Sequence, residues 1–231
     1  MIEKRAAQER GHVDLGWLNS YHTFSFGQYY DPHHMGFSAL RVINDDTVQP
    51  DQGFQTHGHR NMEIISFVLE GTIAHKDSGG NIETLPQGEF QLMSAGQGIY
   101  HSEFNHSSTN PLHFLQIWIE PNQTDTRPSY QQKPFNVIQG LTPIATPDGQ
   151  YDSFTIKQDA SLFQLVLAGQ TQQRYAIADS RRVYVHLISG SLQINDLSLL
   201  PGDGAKISDI DQIDLINEGS EQVIALMFDL P

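Results

Sequence analysis

One order of backbone elements occurs twice in this chain. In the first half, Val68-Leu69-Glu70-Gly71 is followed by a hairpin-length segment and then by Leu85-Pro86-Gln87-Gly88-Glu89-Phe90. In the second half, Leu187-Ile188-Ser189-Gly190 is followed by a shorter segment and then by Leu200-Pro201-Gly202-Asp203-Gly204. In each copy a strand-forming run stops at a glycine, turns back, and re-enters through a Pro/Gly turn. Glycine supplies positive φ there, and proline pre-sets the turn while giving up no ladder donor. The shared order points to a duplicated β-barrel.

The rest of the chain reads in the same way. Gly36 to Ile43 alternates and is expected to stop at the turn signal Asn44-Asp45-Asp46. Glu63 to Leu69 is an apolar run, and Thr72 to His75 alternates before the turn Asp77-Ser78-Gly79-Gly80-Asn81. Phe90 to Met93 and Leu112 to Ile119 are further strands. Strands spaced about 8 to 12 residues apart indicate an all-β sandwich or barrel. A helix is expected only near Ala160 to Leu167. Pro121, Pro128, Pro134, Pro143 and Pro147, set among Gln, Thr and Asn, predict a long irregular connector. The expected domains are residues 1–133 and 134–231.

Composition narrows the partners. The chain's 231 residues suit two small barrels, and 38% apolar content with 12 Phe and 8 Tyr can fill them. Thirteen Lys+Arg against 27 Asp+Glu leave a net charge of -14. A nucleic-acid groove needs concentrated positive charge, so no direct nucleic-acid contact is expected. An anionic membrane would repel the chain, and no run approaches the roughly 18 apolar residues of a membrane span. The opening MIEKRAAQERGH has no apolar leader core, so the expected location is cytoplasmic. The absence of cysteine removes disulfides, thiolate metal sites and cysteine nucleophiles.

Chemistry concentrates in Thr56-His57-Gly58-His59-Arg60 and Tyr100-His101-Ser102-Glu103. Residues i and i+2 of a strand share a face, so His57 pairs with His59 and His101 with Glu103. On a helix the same spacing diverges by about 200° and could not converge on an ion. Two such strands facing each other in a barrel would aim three imidazoles and a carboxylate at one point. Imidazole and carboxylate donors without sulfur suit first-row metals. Four ligands leave about two positions of an octahedral ion open for a substrate or dioxygen, unlike a closed structural zinc.

Other residues carry weaker expectations. His33 and His34 belong to a turn. His12, His22, His75, His106, His113 and His186 lack a metal-spaced partner and are expected to be packed or hydrogen-bonded. Gln116 is either a polar lining residue or a plain ladder residue. Gly96-Gln97-Gly98 precedes no helix and reads only as a turn.

Gly53 through Gly71 resembles the first cupin motif, with HxH, a following Glu63 and a closing Gly. Gly80 through Gly88 resembles the start of the second, Gly-x5-Pro-x-Gly. More specifically, the N-terminal half is similar to the pirin family. The matching text is His22-Thr23-Phe24-Ser25-Phe26, Tyr30-Asp31-Pro32, Met35-Gly36-Phe37, Leu40-Arg41-Val42 and Asn44-Asp45-Asp46. It continues through His57-Gly58-His59-Arg60, Glu63, Met93-Ser94-Ala95-Gly96 and His101-Ser102-Glu103. The C-terminal half matches loosely and is similar to bacterial pirin-like proteins described as quercetin 2,3-dioxygenases.

The resemblance implies two tandem cupin barrels of the double-stranded β-helix (jelly-roll) type, with metal only in the first. Residues 136 to 231 indeed contain a single histidine, His186. It implies one divalent metal per chain on His57, His59, His101 and Glu103, with Fe(2+) the first choice and Ni, Cu, Mn, Co or Zn also compatible. Spacing alone leaves Glu63 open as a carboxylate ligand; the resemblance selects Glu103 and leaves Glu63 as a supporting residue. The implied activity is dioxygenase cleavage of a flavonol such as quercetin, with release of carbon monoxide and Glu103 as proton acceptor. One rival is a metal-dependent, redox-sensing regulator acting through a protein partner. Another is a different cupin enzyme, such as an isomerase, because a fold does not fix a function.

Overall fold

The computed structural model describes residues 1–231 and is almost wholly strand. The only helical pieces are single 3-10 turns at Ala7–Glu9 and Gln150–Asp152. The strands of the first half are β1 Ile2–Arg5, β2 Gly11–Asp14, β3 Leu18–His22, β4 Leu40–Val48, β5 Gly53–His59, β6 Glu63–Glu70, β7 Thr72–Asp77, β8 Ile82–Pro86, β9 Phe90–Ser94, β10 Ile99–Asn105, β11 Leu112–Ile119 and β12 Ser129–Lys133. Those of the second are β13 Gly140–Thr146, β14 Phe154–Thr155, β15 Ser161–Leu167, β16 Thr171–Ala176, β17 Arg182–Ser189, β18 Leu192–Ile194, β19 Leu197–Leu199, β20 Gly204–Ile207, β21 Gln212–Asn217 and β22 Val223–Leu230.

Each half builds a seven-stranded sheet facing a four-stranded one. The first barrel runs β12-β9-β6-β11-β4-β3-β2 against β5-β10-β7-β8. The second runs β1-β20-β17-β22-β15-β13-β14 against β16-β21-β18-β19. The two plans match over β9-β6-β11-β4-β3 and β20-β17-β22-β15-β13 and over the whole of the small sheets, so the duplicated order seen in the sequence is a duplicated barrel. Gly71 and Gly190, the closing glycines of the two copies, take φ of +85 and +83. A Cβ there would meet the Pro111 carbonyl oxygen at 3.0 Å or that of Gln222 at 2.7 Å, so both positions exclude a side chain.

The large sheets pack on each other through their outer faces. Ile43, Ile65, Phe67, Leu115 and Ile117 of the first meet Leu162, Tyr184, Leu226 and Phe228 of the second in one cluster of 21 buried residues. The boundary expected at 133/134 falls between β12 and β13. It separates the strand sets with one exception: β1 pairs with β20 at the edge of the second sheet, Ile2 opposite Ile207. No helix is long and apolar enough to cross a membrane.

Three local expectations are corrected. Asn44-Asp45-Asp46 is not a turn, because β4 runs through it to Val48, paired with β3 on one side and β11 on the other. The segment near Ala160 to Leu167 is not a helix but β15, held between β13 and β22. A segment this short cannot separate helix from strand by its period, and two waiting ladders decide it. The proline-rich connector contains β12 and β13. Its Pro143 sits beside a register shift, where a missing N–H costs no ladder bond.

Candidate metal centre

Strands β5 and β10 run antiparallel, with His57 opposite His101 and His59 opposite Ile99. Alternation turns all three imidazoles inward. The Nε2 atom of His101 lies 3.0 Å from that of His59 and 3.1 Å from that of His57. Burial, and next the neighbouring imidazoles, lower His59 to about 4 and His101 to about 3. Both rings are therefore neutral near pH 7 and offer lone pairs. His57 lies 2.7 Å through Nδ1 from the Gln55 carbonyl oxygen. Its N–H must donate there, which leaves the Nε2 lone pair facing the other rings. Three such lone pairs cannot satisfy one another, and one divalent cation satisfies them together. The donor set therefore fits a metal.

Glu103 arrives differently. The β10 ladder to β5 shifts register between His101 and Glu103, so Glu103 faces Phe54 on that strand. On its other side it faces His75 of β7. Its oxygens group with His75 and His101 within 4.8 Å, while His57, His59 and His101 form a separate group. The four residues singled out by spacing thus fall into two groups that share His101. The buried Glu103 carboxylate accepts from Gln91 Nε2 at 2.7 Å, Ser66 Oγ at 3.2 Å and Gln116 Nε2 at 3.4 Å. The Tyr130 hydroxyl faces Gln91 Oε1 at 2.9 Å and Gln132 Oε1 at 2.7 Å, and the Gln91 amide nitrogen faces Glu103.

His75 is packed and hydrogen-bonded, as expected, but it also stands beside His101 and Glu103. It is buried, 3.2 Å from Asp77 Oδ2, and its ring lies 5.5 Å from that of His101. The available signal was His75-x-Asp77, a third i,i+2 pair of polar residues in an otherwise ordinary strand. Glu63 does not support the site. It points out of the barrel, accepting from Ser94 Oγ at 2.8 Å and from the Lys157 backbone N–H at 3.2 Å. Gln116 is a lining residue as well as a ladder residue. His113 pairs with Asp45 at 2.6 Å, which raises its pKa, and His186 is wholly buried and lowered to about 4 by desolvation.

Beside the imidazoles opens a cavity of about 350 Å³. Trp17, Phe26, Phe54 and Trp118 give it aromatic walls, and His57 and His59 lie along one side. The His59 ring stands edge-on to Trp118 at 5.0 Å. Size and lining suit one flat organic molecule.

Comparison with known proteins places relatives over the whole chain. The family described as Pirin matches residues 3–119, and the Quercetinase C-terminal cupin domain matches residues 143–230. The chain is 48% identical over 231 residues to the quercetin 2,3-dioxygenase of Escherichia coli strain K12, covering 100% of this chain and 99% of that one. A crystal structure of the bacterial pirin YhhW from Escherichia coli, in complex with nickel(II), superimposes with a TM-score of 0.97 at 47% identity, covering 100% and 99% of the two chains. A second crystal structure of YhhW gives a TM-score of 0.98 over 100% of this chain and 98% of that one.

Proposed function

Because this chain belongs to the pirin family, we propose that it is a metal-dependent dioxygenase cleaving flavonols such as quercetin. The metal is one divalent ion per chain, taken as Fe(2+), held by His57, His59 and His101, with Glu103 as the carboxylate of the centre. The observation that carries this reading is the convergence of three Nε2 atoms beside an aromatic cavity. The overall reaction takes one flavonol and one dioxygen to a depside and carbon monoxide.

When bound, the ion supplies Lewis acidity and a template for the flavonol oxygens and dioxygen. The remaining work belongs to side chains. Trp17, Phe54 and Trp118 hold a flat ring system and keep water from it. Glu103 takes the proton of the flavonol 3-hydroxyl. Gln91, Ser66 and Gln116 keep its carboxylate oriented for that transfer.

The test is elemental analysis of protein purified without added metal, joined to a carbon monoxide assay with quercetin under air. About one metal per chain and carbon monoxide release that stops on chelation are expected. Metal-loaded protein that releases none from quercetin would overturn the reading.

A further inference from the structure

Asn44, Asp45 and Asp46 stand in the middle of a strand paired on both sides, where Asp and Asn are disfavoured. Departures of this kind mark positions chosen for function rather than for the fold. Alternation sends Asp45 outward, where His113 Nε2 lies at 2.6 Å and Arg10 Nη1 at 3.1 Å. Those partners account for Asp45. Asn44 and Asp46 face inward and line the cavity.

Nothing in the protein accounts for Asp46. It is 2% exposed, and its only hydrogen bond comes from the Ser20 hydroxyl to Oδ1. No cation pairs with it, and Oδ2 has no protein partner. Asn44 Oδ1 and His22 Nδ1 are likewise buried without a partner, and both residues line the same cavity. A buried carboxyl with a single hydrogen-bond partner lowers stability, whereas an apolar residue of similar size would not. The second barrel shows what the fold itself asks for. Asp46 lies opposite Phe114, which lies opposite Val68; in the second barrel Leu165 lies opposite Ala225, which lies opposite Leu187. Leucine thus fills the equivalent place.

We propose that Asp46, with Ser20, Asn44 and His22, is the specificity wall of the cavity and receives a phenolic hydroxyl on an outer ring of the substrate. The proposal rests on the flavonol reading and narrows it to flavonols hydroxylated away from the 3-hydroxyl and 4-carbonyl. The wall belongs to β3 and β4 of the large sheet, whereas His57 and His59 belong to the small sheet that faces it. A ligand between them is gripped at both edges. Burial pushes the Asp46 carboxyl up to about 7. Near neutral pH it can therefore donate to a phenolate or accept from a phenol. Asp46 acts by positioning and takes no part in bond cleavage.

The chain's two tryptophans, Trp17 and Trp118, both line the cavity, so intrinsic fluorescence reports occupancy without turnover. Titration under anaerobic conditions should compare quercetin with 3-hydroxyflavone, which keeps the 3-hydroxyl and 4-carbonyl but has bare outer rings. The natural protein should bind quercetin about ten-fold tighter or more, the worth of one well-made buried hydrogen bond. Asp46→Leu should bring that ratio to about two-fold or less while 3-hydroxyflavone binds as before. Asp46→Asn, of the same shape, should fold and melt no lower than the natural protein at pH 8. An unchanged ratio in Asp46→Leu overturns the proposal, as does failure of the natural protein to bind either flavonol. A lower melting point in Asp46→Asn makes the residue structural and overturns it too. Discrimination in the binding titration without carbon monoxide release would support the wall and sink the dioxygenase reading instead.

Discussion

The two barrels share a strand plan and differ in what they enclose. Sixteen buried apolar residues fill the second, among them Val185, Leu187, Ala205, Ile213, Leu215 and Met227. The first holds apolar clusters of 7 and 4 residues, with a polar belt between them. Register aligns the belt with the second core. Ser66 and Gln116 pair across β6 and β11 where Val185 and Met227 pair across β17 and β22. His101 and Glu103 stand where Ile213 and Leu215 stand, each set counted back from Asn105 or Asn217. Those two asparagines hold the same place: Asn105 Nδ2 donates to the Val48, Gln49 and Asn110 carbonyls, and Asn217 Nδ2 donates to those of Leu167, Ala168 and Glu221. The second barrel therefore serves as an internal control. Its dry core shows that the architecture needs none of the belt, so the belt is there for chemistry.

Grafting second-barrel residues onto the first tests that contrast most severely. His101→Ile removes the nitrogen shared by both groups around the site. Metal content in elemental analysis should fall from about one per chain to near zero, and flavonol cleavage should fall with it. The fold should survive, since burial rather than metal carries the barrel, and circular dichroism of the metal-free variant should match that of metal-free natural protein. Unfolding of His101→Ile alone would break the contrast, because it would make the belt structural. Glu103→Gln is the next largest. It keeps size and loses charge, so metal content should persist while carbon monoxide release drops by roughly 10²–10⁴-fold, the range of a lost general base. Parallel loss of metal and activity would instead make Glu103 chiefly a ligand.

What the sequence disclosed follows the range of each interaction. The strand Leu112–Ile119, the paired glycine turns and the two i,i+2 pairs are local patterns and read directly. The exchange of β1 into the second sheet is a pairing across some 200 positions that no local pattern encodes. The register shift between His101 and Glu103 sets the carboxylate opposite Phe54 on β5, and a one-residue shift leaves no mark in spacing. Asn44-Asp45-Asp46 misled because turn chemistry and cavity lining use the same residue types. Glu63 misled because it follows the histidines closely in sequence, yet strand alternation turns it to the opposite face of the barrel from Ser66.

The asparagine clips sharpen the contrast where it should vanish. Asn105→Ala and Asn217→Ala each free carbonyls that the amide satisfies, and each should cost about 1–3 kcal/mol in denaturant unfolding. Near-equal losses are expected, because this device serves the barrel and not the belt. The Asn105 variant should also keep its metal in elemental analysis. A loss confined to Asn105 would show that the first barrel leans on its belt for stability after all.

The effect at Asp46 is the most diagnostic, because its sign reverses the usual one for a carboxylate. An ion-paired Asp has a lowered pKa and stabilises a protein above it; burial raises Asp46 to about 7 instead. Well below pH 4 the carboxyl is neutral in both folded and unfolded chains and costs nothing. As pH rises from there through 7, the unfolded chain ionises freely while the folded one resists, so stability is lost. Asp46→Asn has no such titration. Its melting point should match the natural protein near pH 3 and exceed it by several degrees at pH 8, each 1 kcal/mol being worth about 2–4 °C in a chain of this size. His22 and His186, both lowered to about 4, push the other way, losing stability as pH falls below about 6.5. They are unchanged in the variant, so the difference between the two melting curves isolates Asp46. A difference independent of pH would mean that Asp46 does not titrate in this range and that burial is not what sets it apart from Leu165 in the other barrel.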